Sequence, residues 1–302
     1  MGLPVLVAFP LATLCLAGCT PRSIPGREED SLTSGRIEIV CAPEAGRLID
    51  RERSVFGALY PGAHLDLRVG SSREAIRSLF AAESQLAVIT RELDVEERAA
   101  AVRGGLGLEG YRFARDAVVA IVNPANPIQN IAVEQLRRIY AGELSRWSEL
   151  GGRDAPIVPV VQPLESDMGQ YFLQAIMGGN PVRARVVTAA DDSAAVARER
   201  GDRDAIGWVS IAWASRGARA LAVAGVVGLA YRYPDPEAVY DGSYPLTRFY
   251  NLYARAGGPQ LANGFITFVT SREGQTLVQH DGLVPTAVPV RFVRRSPMVG
   301  TH

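Results

Sequence analysis

Val160 to Phe172 reads VVQPLESDMGQYF: an apolar strand-like run, a polar loop and the start of a helix-like run. A helix start offers N–H groups with no intrahelical partner and the positive end of the helix dipole, so a loop placed there can grip an anion. This loop brings Ser166, but also Glu165 and Asp167, and no Arg or Lys. Its charge is the reverse of what an anion needs. A further acid, Glu44, follows an earlier strand-like run, and Glu44 with Asp167 could in principle give oxygen ligands to a divalent cation. Two acids on separate loops are more often paired with Arg or solvated.

Other chemistries find little support. His64, His280 and His302 are scattered, with no metal-ligand spacing, and Ser166 lacks the G-x-S-x-G turn of a serine nucleophile. Every basic residue is Arg, so the phosphate-gripping loop that ends in Gly-Lys-Ser/Thr has no counterpart. Asp191 and Asp192, in TAADDSAAVARER, are placed to cap a helix. Trp147, Trp208 and Trp213 sit in segments whose default role is packing. No enzymatic activity, cofactor or metal centre is expected.

The elements that must position these residues alternate along the chain. Its 302 residues suffice for two domains of ordinary size, and 47% apolar with 21% charged residues is a globular composition. Formal net charge is zero and no basic stripe occurs, which argues against a nucleic-acid partner. RIEIVCA and HLDLRVG alternate like strands, LAVIT reads as a short buried strand, and residues 46–60 and 72–85 carry helical spacing. This β-α-β-α-β order predicts an α/β layer over a largely parallel sheet. FARDAVVAIVNP, IVPVVQP, AIGWVS and YPLTRFYNLYARAG are further strands. VEQLRRIYAG and MGQYFLQAIMGG are helices, and FITFVTSREGQTLVQHDGLVP predicts one closing helix with Phe265, Phe268, Val269 and Leu277 on one side.

Residues 1–19 are apolar and end in Leu16-Ala17-Gly18-Cys19, which resembles the bacterial lipobox, with cleavage before Cys19 and lipid on it. Residues 20–35 are polar, with Pro and Gly, and read as a flexible tether. Cys15 leaves with the signal, so Cys41 has no intramolecular partner and is expected as a small buried hydrophobe.

The central segment ARDAVVAIVNPANPIQNIAVEQLRRIYAGELSRWSELGG, with AIGWVS, YPLTRFYNLYA and FITFVTSREGQTLVQHDGLVP after it, resembles the PstS-like phosphate-binding proteins of bacterial ABC importers. The likeness runs from Arg36 to Pro289. It implies an α/β, two-lobed type II periplasmic binding protein fold with the ligand cleft between the lobes, lobe 1 being 36–123 with 245–297 and lobe 2 being 124–244. It also implies an extracytoplasmic, membrane-anchored monomer that captures a small ligand by hinge closure and hands it to a permease with its ATPase. A sensory or interaction protein that has lost phosphate binding is the alternative.

The family binds phosphate from four loops, and the resemblance carries the ligand positions over residue by residue. Ala42 and Glu44 fall on the first loop, where the family has hydroxyl donors, and Ser71 falls on the second. Gln85 stands at the position of an Asp, and Thr90 at that of a Ser followed by the retained Arg91. On the fourth loop Gln162 replaces an Arg, Ser166 is kept, and Asp167 and Met168 replace Gly and Thr. Arg73 and Arg91 are candidates to supply the missing guanidinium. Removing donors and adding carboxylates predicts weak or absent phosphate binding, or a cationic, amine-bearing or neutral ligand instead.

Overall fold

A computed structural model describes residues 30–286. The signal and its Cys19, the tether up to residue 29, and residues 287–302 with His302 lie outside the described residues. Asp30 to Ser34, assigned to the tether above, fold back on the body. The Asp30 carboxylate accepts the N–H groups of Gln260 and Leu261, and a bridge joins Ser31 to Ser34.

The chain then alternates strand and helix: Gly35–Cys41 (β1), Pro43–Leu59 (α1), Ala63–Val69 (β2), Ser72–Phe80 (α2), Leu86–Ile89 (β3) and Val95–Arg103 (α3). β1 pairs in parallel with both β2 and β3, as the crossover helices require. β3 is buried at every position, the pattern of a strand covered on both faces. Local chemistry sets the helix starts. The Ser71 hydroxyl accepts the Glu74 N–H, and Asp94 and Glu97 form a reciprocal capping box on α3.

Leu108–Val122 (β4) is the long strand that links two cores. Leu108 to Ala117 pair with Thr247–Arg255 (β11), and the last five residues pair with Ala205–Ser210 (β8). Between these partners lie Asn130–Ala132 (β5), Val133–Tyr140 (α4), Val158–Val161 (β6), Asp167–Tyr171 (α5), Val187–Thr188 (β7) and Asp192–Gly201 (α6). After β8 come Arg219–Ala220 (β9), Ala222–Ala224 (β10), Pro236–Asp241 (α7) and β11, then Gln260–Thr270 (α8), Arg272–His280 (α9) and Val284–Pro285 (β12). The sheet path β2-β1-β3-β11-β4-β8-β6-β7 is therefore mixed: parallel at both ends, antiparallel where β4 and β11 cross.

Side chains sort into two large apolar bodies along this path, with a smaller cluster where Ile76 and Leu79 of α2 pack on Val40, Ala87 and Ile89. Phe113, Ala114, Tyr250 and Leu252 join the core of β1, β3, α1, α8 and α9, whereas Ala117 to Val122 and Leu246 join that of β6, β8, α4 and α6. Trp147, Trp208, Tyr140 and Phe172 anchor the second body, with Phe172 stacked on Trp208 at 4.8 Å. Trp213 is only partly buried and carries Arg216 over its ring. Cys41 is buried and free, and burial, with Asp50 and Glu44 nearby, pushes its thiol up to about 12.

The closing segment corrects one expectation: it is two helices. Ser271 takes an extended backbone conformation and its hydroxyl accepts the Gly274 N–H, ending α8 and starting α9. Gly274 also lies so close to the end of α8 that a Cβ would sit 2.4 Å from the Phe268 carbonyl oxygen. The tight break turns α9 back on α8.

Candidate functional site

A cleft of about 940 Å³ opens between the two bodies. Its lining comes from the segments that follow β1, β2, β3, β6, β7 and β8, so it sits at the carboxyl ends of the parallel strands, where open α/β sheets place their ligands. Charge there is lopsided. Glu44, Asp94, Glu165, Asp167, Asp191, Asp192 and Asp281 line it against Arg47, Arg73 and Arg91.

Asp167 is the residue around which the cleft is organised. Ser166 ends the loop from β6 by accepting the Gly169 N–H at 3.0 Å and donating to the Pro163 carbonyl at 2.7 Å, which starts α5 and aims Asp167 at the opposite body. Gly169 allows this loop to fold flat on the helix, since a Cβ there would meet the Pro163 oxygen at 2.3 Å. Oδ2 of Asp167 accepts the Thr90 N–H at 3.0 Å, the Thr90 hydroxyl at 2.8 Å and the Ser72 hydroxyl. Nε of Arg91 lies 3.4 Å from Oδ1. Asp167 is 8% exposed and Thr90 behind it 0%. Arg91 also grips Glu97 with both terminal nitrogens at 2.7 Å, and Asn251 donates to its carbonyl, so its loop is fixed from two sides.

Behind Thr90 lies a guanidinium for which neither Arg73 nor Arg91 was the source. Arg248 on β11 pairs in register with Asp116 on β4, Nη2 to Oδ2 at 2.8 Å and Nε to Oδ2 at 2.9 Å. Its Nη1 reaches the Thr90 hydroxyl at 3.4 Å. Burial alone would lower the Arg248 pKa, but Asp116 and its neighbours hold it above the ordinary value. The other oxygen of Asp116 accepts the Ser210 hydroxyl at 2.7 Å and the Ile211 N–H at 3.1 Å, tying the pair to the second body. An acid, Asp116, in ARDAVVAIV and a base, Arg248, in TRFYNLYA, each within a largely apolar strand, are the signal in the sequence that points to this pair.

The remaining candidates are not all gathered here. Glu44 faces the cleft; burial raises its carboxyl pKa, Arg248 opposes this, Asp167 adds to it, and the Met168 N–H from the other side draws it down. Ser71 lines the cleft while its hydroxyl caps α2. Gln162 donates to Asp192 at 2.7 Å and to the Trp208 carbonyl at 3.0 Å, bracing the cleft wall with an amide where a guanidinium was sought. Burial raises Asp192 to about 6, with the Gln162 amide opposing and Asp116 reinforcing the shift. Asp191 caps α6 through the Ala194 N–H, as expected.

Ala42 and Met168 are buried, Met168 within the second core, and neither side chain lines the cleft. Gln85 is elsewhere. It precedes β3, at the strand end opposite to Thr90, where its side-chain oxygen accepts the Glu38 N–H and it lines a separate, smaller pocket. Five residues of extended chain span about 16 Å, so Gln85 and Thr90 cannot serve one small ligand. Arg73 lines the cleft from its exposed rim. Among the described residues no three His, Cys, Asp or Glu side chains come together as metal ligands.

Two α/β bodies joined by shared strands, with a polar cleft at their carboxyl edges, define a two-lobed binding protein. The description "PBP superfamily domain" matches residues 28–273, and the chain belongs to that superfamily. It is similar to the phosphate-binding protein PstS of Pseudomonas aeruginosa, 22% identical over 285 residues that cover 89% of this chain and 88% of that protein. The Bacillus subtilis phosphate-binding protein PstS is 25% identical over 229 residues, 74% of this chain and 72% of that one. Among solved structures, an ABC-type phosphate transport receptor from Vibrio cholerae superposes with a TM-score of 0.71 at 21% identity, over 83% of this chain and 99% of the other.

Proposed function

We propose that the chain is the extracytoplasmic solute-binding subunit of an ABC importer, anchored by lipid on Cys19, which captures a small solute by closing two lobes about the crossing strands β4 and β11. The lobes are 36–123 with 245–297 and 124–244, and the partners are a membrane permease and its ATPase. The relatives named phosphate-binding protein support a solute-binding role, the likeness to an ABC-type phosphate transport receptor supports the importer, and a cleft walled by both cores supports hinge closure.

The observation that carries the ligand reading is the acid-rich lining, with Asp167 already satisfying the best donors. A phosphate dianion placed there meets Asp167 and Glu44 at close range. Each pair of like unit charges about 4 Å apart costs about 4 kcal/mol at an effective dielectric near 20. The cleft therefore binds inorganic phosphate weakly or not at all, and the carboxylates favour an amine-bearing or other cationic solute. Titration calorimetry of the purified protein with inorganic phosphate and with a panel of small amines tests this. Micromolar or tighter phosphate affinity would refute the ligand reading while leaving the importer role intact.

A further inference from the structure

Asp167 has the environment of a bound ligand. It comes from α5, beside the second core, while three of its donors are Ser72 at the start of α2 and the N–H and hydroxyl of Thr90 after β3. Arg91, from the same first-body loop, completes the set through Nε. The bonds run in one direction: Arg248 points to the Thr90 hydroxyl, which donates to the carboxylate. Two hydroxyls and one N–H as donors, with a guanidinium as facing charge, are what the oxygens of a free oxyanion require.

We infer that the Asp167 carboxylate is a tethered ligand, occupying the oxyanion grip of the first lobe, latching the lobes together without solute and setting the cleft's specificity against free oxyanions. The inference rests on the two-lobed solute-binding reading above. A tethered group acts at an effective concentration on the order of millimolar, so an oxyanion at micromolar concentration does not displace it. The open cleft lies on the solvent side of this latch: Asp167 forms part of its wall, and Thr90 does not reach it. Solute capture is thereby confined to the outer, acid-lined space.

The test compares the purified wild-type protein with Asp167→Ala and Asp167→Asn, using X-ray scattering for the radius of gyration and calorimetry with inorganic phosphate as the probe. The two variants guard against one misfolded substitution, and circular dichroism verifies their fold. The expected result is a compact wild type indifferent to phosphate, and an expanded Asp167→Ala protein that contracts on phosphate with affinity about 100-fold or more above wild type. A wild type that is itself expanded and contracts on phosphate overturns the latch and leaves the solute-binding reading standing. Equal radii with no phosphate response in any protein overturn the latch, and only a wild type that also binds nothing in the amine panel removes the solute-binding reading. A variant that expands yet ignores phosphate overturns the oxyanion assignment of the grip.

Discussion

Asp116 and Arg248 stand opposite each other in the antiparallel register of β4 and β11, at the point where the chain passes from one core to the other. Their side chains are 0% and 3% exposed. A buried ion pair in this position is worth more for geometry than for stability, because desolvation offsets much of the attraction. It holds Arg248 behind Thr90 and ties the Ser210 turn of the second body to the crossing strands. The pair therefore lies behind the cleft and braces Thr90 in one body and Ser210 in the other.

Breaking one member leaves the other charged and unpaired. Asp116→Asn or Arg248→Met is expected to lower stability by about 3–5 kcal/mol, and the double variant to lose less than the sum of the two. Urea unfolding of the four proteins gives the coupling energy. Additive losses would mean the pair is not a unit.

Among the described residues, two buried acids have no hydrogen-bond partner for either carboxylate oxygen: Glu52 on α1 and Glu199 on α6. Burial raises Glu52 to about 9 and Glu199 to about 8. Between the ordinary carboxylate range and these values, the folded protein holds protons that the unfolded chain has released. Stability is then full at low pH and falls as pH rises toward 8 and 9. Glu52→Gln removes that loss, so its advantage over wild type should grow by about 1–3 kcal/mol between pH 5 and pH 8. Thermal melts at the two pH values decide it, and a constant difference would count against the buried acid.

Asp192 gives the cleft its own pH response. With its pKa raised to about 6, it is charged at pH 7.5 and largely neutral at pH 5. Binding of an amine-bearing solute is expected to weaken several-fold over that range, since about one unit of local negative charge is lost. Asp192→Asn should bind weakly at both pH values. Calorimetry at each pH separates this from general acid unfolding.

Gly169 has no room for a side chain because the Pro163–Ser166 loop folds on the helix that presents Asp167. Gly169→Ala is expected to cost about 1–3 kcal/mol through forced displacement of that loop. Ser166→Ala, which removes the cap and the bond to Pro163, costs about 1 kcal/mol. Chemical denaturation measures both, and an unaffected Gly169→Ala protein would show that the loop is not held against α5.

Most elements were legible in the sequence because their causes are local. Alternation in RIEIVCA, the Asp191 cap and the apolar run LAVIT each depend on a few neighbouring residues. The break at Ser271 was missed because the apolar pattern runs through it, and only the cap and the close approach at Gly274 divide the helix. The site was legible only in part. Thr90, Glu44, Ser71, Gln162, Ser166, Asp167 and Arg91 converge, Gln85 occupies the far end of its strand, and Arg248 adds a buried guanidinium that the sequence reading did not propose.

By itself, then, the sequence determined the order of strands and helices, the helix starts and the excess of acids over donors in the cleft loops, since these follow from residue type and spacing. Only the tertiary structure decided what the acids do. Whether Asp167 repels a ligand or takes the place of one depends on the direction of a side chain across the gap between two bodies. That direction is set by Ser72 and Thr90, residues distant in sequence that meet Asp167 only once both cores have packed against the crossing strands.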